Sequence, residues 1–171
     1  MKRVVVIGSG GSGKSTFSRA LGEIAGLPVI HLDTLFWGPN WTSTPKSEWV
    51  EVVRRELERD EWIIDGNFGS TREMRMRAAD TIIMLDLPRR VCIYRIVKRM
   101  IKYRNKKRPD MAEGCFERFD LEFITWVWNY RKDSRKRAFR ELETQTDKNI
   151  IILKSRREVA DFLDAMRLEF S

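Results

Sequence analysis

Short apolar runs recur along the chain, and longer segments of mixed polarity separate them. The runs lie at residues 4–7, 27–32, 62–64, 81–85 and 149–153. They are rich in valine and isoleucine, which favours buried strands, whereas the intervening segments place apolar residues three and four positions apart, as amphipathic helices do. Short apolar strands that alternate with such helices predict a parallel sheet covered on both faces. We therefore expect an α/β domain of three layers with a five-stranded parallel sheet.

Capping and turn residues mark where some of the predicted helices begin and end. Thr44 is predicted to be an N-cap, with Pro45 at the first helical position. Pro88 marks the start of another helix, and turn residues near 105–114 interrupt the pattern that follows it. Beyond that interruption, the pattern predicts one long helix over 118–143.

A glycine-rich loop follows the first predicted strand and precedes the first predicted helix. It carries the pattern Gly-x-x-x-x-Gly-Lys-Ser, and its candidate nucleotide-binding residues are Gly8, Gly10, Gly11, Ser12, Gly13, Lys14, Ser15 and Thr16. Glycines let successive backbone N–H groups point at phosphate oxygens, and the helix N-terminus adds partial positive charge. A strand before the pattern and a helix after it distinguish a phosphate-binding P-loop from a chance match. The chain is therefore expected to bind a nucleoside triphosphate.

Side chains in and near this loop have the chemistry that phosphoryl transfer needs. Lys14 would reach the β- and γ-phosphates, and the Ser15 hydroxyl would be a ligand of Mg²⁺. Asp33 and Asp65 end the second and third predicted strands, and the carboxyl ends of parallel strands meet at one edge of a sheet. Asp65 is predicted to hold Mg²⁺ directly or through water, the alternative being a turn residue beside Gly66. Asp33 is predicted to be the general base for an acceptor or to support Mg²⁺ through water, the alternative being hydrogen bonds to loop N–H groups.

Composition excludes several classes of protein. With 171 residues, of which 42% are apolar, the chain fits a single folded domain over 1–171. No apolar run is long enough to cross a bilayer, and too few apolar residues precede the loop for a signal peptide. Cys92 and Cys115 lack metal-ligand spacing, and the single histidine, His31, cannot complete a zinc site and is given a structural role. We therefore expect a cytoplasmic protein with two free thiols and no membrane partner.

The net charge of +8 is concentrated in one segment. Residues 89–108 contain ten Lys and Arg and no Asp or Glu. A basic segment this dense attracts polyanions, namely nucleic acid, an anionic membrane surface or nucleotide phosphates. Composition does not choose among these, and no recognised DNA-reading motif accompanies the segment. Nucleic acid is therefore a candidate partner through residues 89–108.

Residues 85–88, Leu-Asp-Leu-Pro, together with Arg95 and Arg99, extend the pattern that the glycine-rich loop begins. With these residues the chain resembles the adenylate-kinase-like group of nucleoside and nucleotide kinases over nearly its whole length. The resemblance implies the P-loop NTPase fold, the use of ATP and Mg²⁺, and a helical lid inserted at about 100–135. Within the group, bacterial proteins labelled as DNA topology modulation proteins look closest.

The resemblance also implies roles for four arginines. Arg95 would pack near the adenine, and Arg99 would contact phosphate. Arg131 and Arg135, one turn apart on the long predicted helix, resemble the lid arginines that clamp the transferred group. Together with Lys14, the last three would neutralise the charge that develops during transfer.

Two departures from the group concern the acceptor. Phe36 stands where a nucleoside monophosphate kinase has an arginine, and residues 65–69 read Asp-Gly-Asn-Phe-Gly where an Asp-Gly-Phe-Pro-Arg run is usual. Both missing arginines grip the acceptor's own phosphate, and each such contact contributes roughly 1.5–3 kcal/mol. Nearby substitutes are Arg72, Arg75 or Arg77. A hydroxyl-bearing small molecule is thus the expected acceptor, and the layout resembles shikimate-kinase-like enzymes, which have a carboxylate at the end of strand two.

Bulky aromatic residues follow the second predicted strand. Phe36, Trp37 and Trp41 predict either a wall for an acceptor ring or core packing beneath the next helix. The sequence does not decide between these two arrangements.

The leading hypothesis is an ATP- and Mg²⁺-dependent kinase that phosphorylates a small-molecule acceptor, with Asp33 orienting or deprotonating it. One alternative is a nucleic-acid-binding protein that uses ATP as a switch, which the surplus charge at 89–108 motivates. The other alternative is a plain ATPase, in which the lid arginines act on water.

Overall fold

A central parallel sheet organises the molecule. The structure is a computed structural model, and it describes residues 1–104, 114–115 and 119–170. The strands of this part of the chain are β1 Arg3–Gly8, β2 Val29–His31, β3 Trp37–Gly38, β4 Thr42–Ser43, β5 Trp62–Asp65, β6 Thr81–Leu85 and β7 Asn149–Leu153. Five of them form one parallel sheet in the order β2–β5–β1–β6–β7, and β3 and β4 form a separate antiparallel hairpin. The predicted five-stranded parallel sheet is confirmed, with β1 at its centre.

Helices cover both faces of this sheet. In the same residues they are α1 Lys14–Ala25, α2 Leu32–Phe36, α3 Lys46–Leu57, α4 Gly69–Ala78, α5 Arg89–Lys102, α6 Leu121–Asn129, α7 Ser134–Glu143 and α8 Arg156–Glu169. None of these helices is long and apolar enough to cross a membrane. The side chains of β1 alternate between two buried clusters, one with α1, α5 and α8 and the other with α3, α4 and α7. The predicted three-layer α/β architecture is confirmed.

The predicted single helix over 118–143 is wrong, because α6 and α7 occupy its place. α6 buries Val127 in the cluster that contains α1 and α5, whereas α7 buries Ala138 and Leu142 in the cluster on the opposite face. A straight helix cannot reach both faces of the sheet. The chain therefore turns between the two helices at residues 130–133.

The start of α3 also differs from the prediction. The helix begins at Lys46, after Pro45, and Thr44 is not its N-cap. The Thr44 hydroxyl instead donates to the carbonyls of Leu35 and Phe36, at 3.1 and 3.0 Å, and its N–H donates to the Phe36 carbonyl at 2.8 Å. These bonds close the loop that carries the β3–β4 hairpin. The Thr44 hydroxyl is therefore used by the loop and does not cap the helix.

The second predicted strand is shorter than expected. β2 ends at His31, and the chain turns at the buried Leu32 into the short helix α2. Asp33 therefore lies in the first turn of α2 rather than at the end of a strand. The β3–β4 hairpin that follows is absent from the sequence prediction, because strands of two residues leave no periodic signal.

The predicted helical lid at about 100–135 lies partly outside the described residues. Within its described part, Gly114 and Cys115 pack on the β3–β4 hairpin. The Cys115 thiol donates to the Gly38 carbonyl at 3.1 Å, and the Asn40 N–H donates to the Gly114 carbonyl at 3.2 Å. These two residues therefore contact the hairpin that follows α2.

Candidate active site

The glycine-rich loop joins β1 to α1 at the carboxyl edge of the sheet, as the sequence predicts. Gly11 and Gly13 have φ angles of 72° and 96°, which residues with side chains rarely adopt. Lys14 opens α1, and its Nζ donates to the carbonyls of Gly8 and Ser9, both at 3.0 Å. In this structure the lysine is therefore folded back over the loop.

Two helices close over the loop. A Cβ on Gly11 would lie 2.3 Å from the carbonyl oxygen of Cys92 in α5, and a Cβ on Gly10 would lie 2.7 Å from Cζ of Phe123 in α6. Atoms cannot approach so closely without a shift of one of the helices. The glycines therefore allow α5 and α6 to pack directly on the loop backbone.

The loop residues fit a bound triphosphate and its Mg²⁺. The Ser12 hydroxyl is buried, and the described residues give it no hydrogen-bond partner. A buried hydroxyl without a partner costs free energy, and a phosphate oxygen would remove that cost. Ser15 and Thr16 lie in the first turn of α1, where the helix N-terminus favours negative charge. Ser15 and the Asp65 carboxylate supply the oxygen ligands that Mg²⁺ prefers.

Lys14 is the point at which predicted site residues converge. Burial lowers the pKa of the Lys14 ammonium, and the carboxylates of Asp65 and Asp33 oppose this shift. The Arg99 guanidinium lowers the same pKa further. Charges affect one another in this way at short range, so the two carboxylates and the arginine lie around the lysine. The fold thus brings together four residues that are distant in the sequence.

Asp65 lies at the end of β5, beside the central strand β1. Its side chain is buried, and its register partners are Val6 of β1 and His31 of β2. The His31 Nδ1 lies 2.9 Å from the Asp65 Oδ2, and its N–H donates to the carboxylate. The sequence predicts a structural role for His31 but does not predict this contact. The contact depends on the pairing of β2 with β5, which a single sequence does not show.

Asn67 is a second site residue, which the sequence marks only as a departure from the kinase group. Its side-chain amide pairs with the backbone of Gly8. The Asn67 Oδ1 accepts from the Gly8 N–H at 3.3 Å, and its Nδ2 donates to the Gly8 carbonyl. Because Gly8 is the first residue of the loop, this side chain ties the loop to the turn after β5. No sequence signal predicts the contact, since it depends on the path of that turn.

The two predicted arginines of α5 lie on the side of the helix that faces the loop. Arg95 Nη1 donates to the Ser12 carbonyl at 2.7 Å, and burial, followed by the charge of Arg156, lowers the pKa of Arg95. The Arg99 guanidinium carbon lies 5.7 Å from the centre of the Phe123 ring. Both side chains are thus beside the loop, while their contacts with adenine and phosphate remain predictions.

Arg131 and Arg135 do not share a helix face, so their predicted one-turn spacing on one helix is wrong. Arg131 is exposed in the turn between α6 and α7, and Arg135 lies in the first turn of α7. Arg135 forms a bidentate pair with Asp86, Nε to Oδ1 and Nη2 to Oδ2, both at 2.7 Å. The hydrogen bonds from Arg135 to Asp86 raise the pKa of the arginine. A role for either arginine in clamping the transferred group remains a prediction.

An aromatic cluster surrounds Phe36 at the end of α2. Phe36 packs against Trp49 and Phe68, with ring centres 5.0 and 4.7 Å away, and Trp49 is buried in the core. Trp37 and Trp41 meet edge to face, 5.6 Å apart, and remain partly exposed. Phe36 is partly buried and packs against the core, whereas the two tryptophans lie on the hairpin surface.

The three arginines considered as substitutes have partners inside the protein. Arg75 is fully buried and donates to two carbonyls of the chain after β5 at 3.1 and 2.9 Å, and burial lowers its pKa to about 9. The buried Arg72 pairs with Glu141 of α7, with Nη2 and Oε1 2.8 Å apart. Arg77 is exposed and pairs with a glutamate of its own helix. The side chains of all three arginines are thus engaged by groups of the protein itself.

The basic segment 89–108 is described only through Arg104. Arg89 lies over the Trp128 ring, 4.1 Å from its centre, and exposed basic residues along α5 include Arg90, Lys98 and Lys102. Lys106, Lys107 and Arg108 lie outside the described residues. The hypothesis of a nucleic-acid surface therefore rests on charge alone.

Comparison with solved structures supports the fold, although no protein-family model and no curated protein sequence matches the chain. A shikimate kinase from Acinetobacter baumannii in complex with shikimate aligns with a TM-score of 0.62 and 15% identity, over 97% of this chain and 90% of that one. A shikimate kinase from Bacteroides thetaiotaomicron aligns with a TM-score of 0.57 and 16% identity, over 98% and 97%. A gluconokinase from Sinorhizobium meliloti 1021 aligns with a TM-score of 0.56 and 17% identity, over 98% and 94%.

These alignments establish the fold of the chain. It has the three-layer α/β fold of P-loop kinases over nearly its whole length. The comparisons give no support to the resemblance with proteins labelled as DNA topology modulation proteins. At 15–17% identity they show the fold alone.

Proposed function

We propose that this chain is an ATP- and Mg²⁺-dependent kinase that transfers the γ-phosphoryl group of ATP to a hydroxyl of a small molecule. The observation that carries the proposal is the glycine-rich loop at the carboxyl edge of the sheet, with Lys14 at the start of α1 and the buried Asp65 at the end of the neighbouring strand β5. Structures with the same fold include kinases named for small hydroxyl compounds, shikimate kinase and gluconokinase. The cysteines are buried free thiols, which suits a reducing cytoplasm.

The loop would hold the triphosphate of ATP. Its N–H groups and the first turn of α1 would bind phosphate oxygens, and Lys14 would leave its two carbonyls to reach the β- and γ-phosphates. Arg95 would pack beside the adenine. Ser15 and Asp65 would hold Mg²⁺, which when bound neutralises charge on the β- and γ-phosphate oxygens.

Asp33 would orient the acceptor hydroxyl and accept its proton as the acceptor oxygen bonds to the γ-phosphorus. The bond from that phosphorus to the oxygen shared with the β-phosphate breaks, and ADP leaves with the electron pair. Arg99 would neutralise charge on the transferred group, and Arg131 and Arg135 would contribute once Arg135 leaves Asp86. Phosphoryl transfer depends mainly on positioning and electrostatics, and these residues supply both.

The acceptor is expected to lack a phosphate group. Phe36, at the position where the kinase group that the sequence resembles has an arginine to grip such a group, packs against the core. Arg72 and Arg75 are held by partners within the protein. The partly exposed rings of Trp37 and Trp41 would offer apolar surface to the acceptor.

Consumption of MgATP by the purified protein tests this proposal. Compounds to be scanned are sugars, polyols, hydroxy acids, nucleosides and nucleoside monophosphates. We expect turnover with one class of hydroxyl compound and none with the monophosphates. Lys14→Ala should lower that turnover by about a hundredfold or more, since it removes a charge aimed at the transferred group. Lys2→Ala, an exposed lysine paired with Glu61, is the matched control.

The same scan, together with measurements of ATP and DNA binding, separates the alternatives. Unchanged turnover in the Lys14→Ala variant would show that the site is assigned wrongly. Phosphate release that needs no acceptor would indicate a plain ATPase. ATP binding without turnover, combined with tight binding of duplex DNA near physiological salt, would indicate a nucleic-acid-binding protein switched by ATP.

A further inference from the structure

Both backbone carbonyls that bind Lys14 have a second hydrogen-bond donor. The Ser9 carbonyl also accepts from the Ser12 N–H at 3.2 Å. The Gly8 carbonyl also accepts from the Asn67 Nδ2. Each carbonyl would therefore stay satisfied if the lysine moved away.

The Asn67 side chain continues the hydrogen bonding between β1 and β5 beyond the end of the strands. In the last regular positions, Val6 pairs with Asp65, and the Gly66 N–H donates to the Val6 carbonyl at 3.3 Å. The Asn67 amide then takes the place of a backbone peptide, because its oxygen accepts from the Gly8 N–H and its nitrogen donates to the Gly8 carbonyl. A carboxamide offers a donor and an acceptor side by side, which a carboxylate does not.

This double pairing matters because Lys14 has two positions in the proposed reaction. In this structure it caps the Gly8 and Ser9 carbonyls, and to act on ATP it must extend to the phosphates. A carbonyl in the closed loop that loses its donor opposes that extension, since an unsatisfied buried acceptor is costly. A second donor on each carbonyl removes this opposition.

We propose that Asn67 is a positioning residue that frees Lys14 for nucleotide binding. Its side-chain amide keeps the Gly8 peptide hydrogen-bonded when Lys14 moves to the phosphates. The residue acts through the loop and touches neither phosphate nor acceptor, because both polar atoms of its amide are used on Gly8. The inference rests on the proposed function in one respect, namely that the loop binds ATP.

The first test measures melting temperatures without nucleotide for Asn67→Ala, Lys14→Ala and the double variant. Each single variant leaves the Gly8 carbonyl one donor, whereas the double variant leaves it none. The melting temperature of the double variant should therefore fall by about 4 °C more than the two single changes predict together. Additive changes would overturn the proposal. Asn149→Ala, at the exposed start of β7 on the opposite edge of the sheet, is the matched control.

The second test measures MgATP binding by calorimetry and, once an acceptor is known, steady-state kinetics. Asn67→Ala should weaken MgATP binding about tenfold and leave the KM for the acceptor unchanged. Asn67→Asp, which has the same shape but no donor, should weaken MgATP binding at least as much. A purely structural role would lower the melting temperature without this selective loss of nucleotide affinity.

The outcomes distinguish this inference from the proposed function. Wild-type affinity for MgATP in Asn67→Ala, or a change confined to the acceptor KM, would overturn the role of Asn67 alone. No MgATP binding by the wild-type protein would overturn both the proposed function and the release of Lys14.

Discussion

At the residue scale, the orientation of Asp65 depends on its neighbour in β2. The Asp65 side chain is 3% exposed, and one of its oxygens accepts a hydrogen bond from His31 at 2.9 Å. With that oxygen held, the carboxylate has a fixed direction before any ligand binds. Carboxylates that bind metals are commonly held by a second hydrogen bond of this kind, which keeps their geometry and affinity.

Substitution of His31 tests this arrangement. His31→Asn places an N–H near the position of Nδ1 and should keep kcat and the Mg²⁺ requirement within about threefold of the wild type. His31→Leu fills similar space without a donor and should lower kcat about tenfold and raise the Mg²⁺ concentration for half-maximal rate. The measurement is a Mg²⁺ titration of the rate at fixed ATP. Equal titrations for His31→Leu and the wild type would show that Asp65 needs no such support.

The sequence predicts site residues where the chemistry is local and misses them where it depends on strand neighbours. Lys14 and Ser15 belong to one contiguous motif, so their positions follow from the sequence directly. His31 reaches Asp65 only because β2 pairs with β5, and Asn67 reaches Gly8 only because β5 pairs with β1. Strand order is not visible in a single sequence, so these two contacts could not be predicted.

At the element scale, α7 is fixed at both ends by pairs of opposite charge. Arg135 in its first turn binds Asp86 after β6, and Glu141 in its last turn binds Arg72 of α4. Arg72 and Asp86 are buried, so each pair is partly shielded from water. α7 is thereby tied at its start to the chain after β6 and near its end to α4.

The pair of Arg72 and Glu141 should make stability depend on pH. Burial favours the neutral acid, but the hydrogen bonds and charge of Arg72, with Arg137, hold the pKa of Glu141 below its ordinary value of 4.5. A carboxyl whose pKa is lower in the folded state stabilises the fold above its ordinary pKa, and this contribution is lost as the pH falls through the folded-state pKa. Glu141→Gln should cost about 2 kcal/mol at pH 7, and the difference from the wild type should shrink below about pH 4.5.

Thermal unfolding between pH 3 and pH 7 measures this dependence. Glu143→Gln, at the exposed end of the same helix, is the control and should follow the wild type throughout. A difference between Glu141→Gln and the wild type that is the same at every pH would show that the pair does not control the titration of Glu141.

The sequence predicts where most of the helices lie, but it does not predict the break between α6 and α7. Apolar spacing predicts α1, α3, α5 and α8, since each packs one face on the sheet. The same spacing predicts a continuous helix through 130–133, because periodicity does not record that Val127 and Leu142 pack on opposite faces. The helix is interrupted because its two halves pack on opposite faces of the sheet, and the sequence alone does not show those faces.

At the scale of the whole molecule, the site lies where the connections of the sheet diverge. From β1 the chain runs through α1 to β2, on one side of β1. From β5 it runs through α4, on the opposite face of the sheet, to β6 on the other side of β1. Ligands of open α/β sheets bind at such a point, beyond the carboxyl ends of the strands. The five apolar runs are enough to predict the sheet, and its order places Asp65 at the end of the strand beside β1, from which the loop leads to Lys14.

Binding of MgATP at this point should stabilise the whole domain. At a hundredfold excess over its Kd, a ligand that binds only the folded state contributes about 2.7 kcal/mol, so the melting temperature of the wild type should rise by several degrees. Lys14→Ala should remove most of the rise, and EDTA should reduce it in the wild type. Scanning fluorimetry with and without MgATP makes the measurement. An equal rise in the Lys14→Ala variant would place the nucleotide elsewhere on the protein.

The glycines of the loop have a consequence for how this sequence can change by descent. Gly10 and Gly11 are closed off by α6 and α5, and a Cβ on Gly8 would lie 2.6 Å from the Leu85 carbonyl oxygen of β6. Selection for folding alone would retain all three. A lineage that abandoned catalysis would therefore keep its glycines, whereas Lys14, whose replacement by a smaller residue creates no clash, would be the position free to drift. Among descendants of this protein, the glycines would thus reflect selection for folding, and the lysine would reflect selection for catalysis.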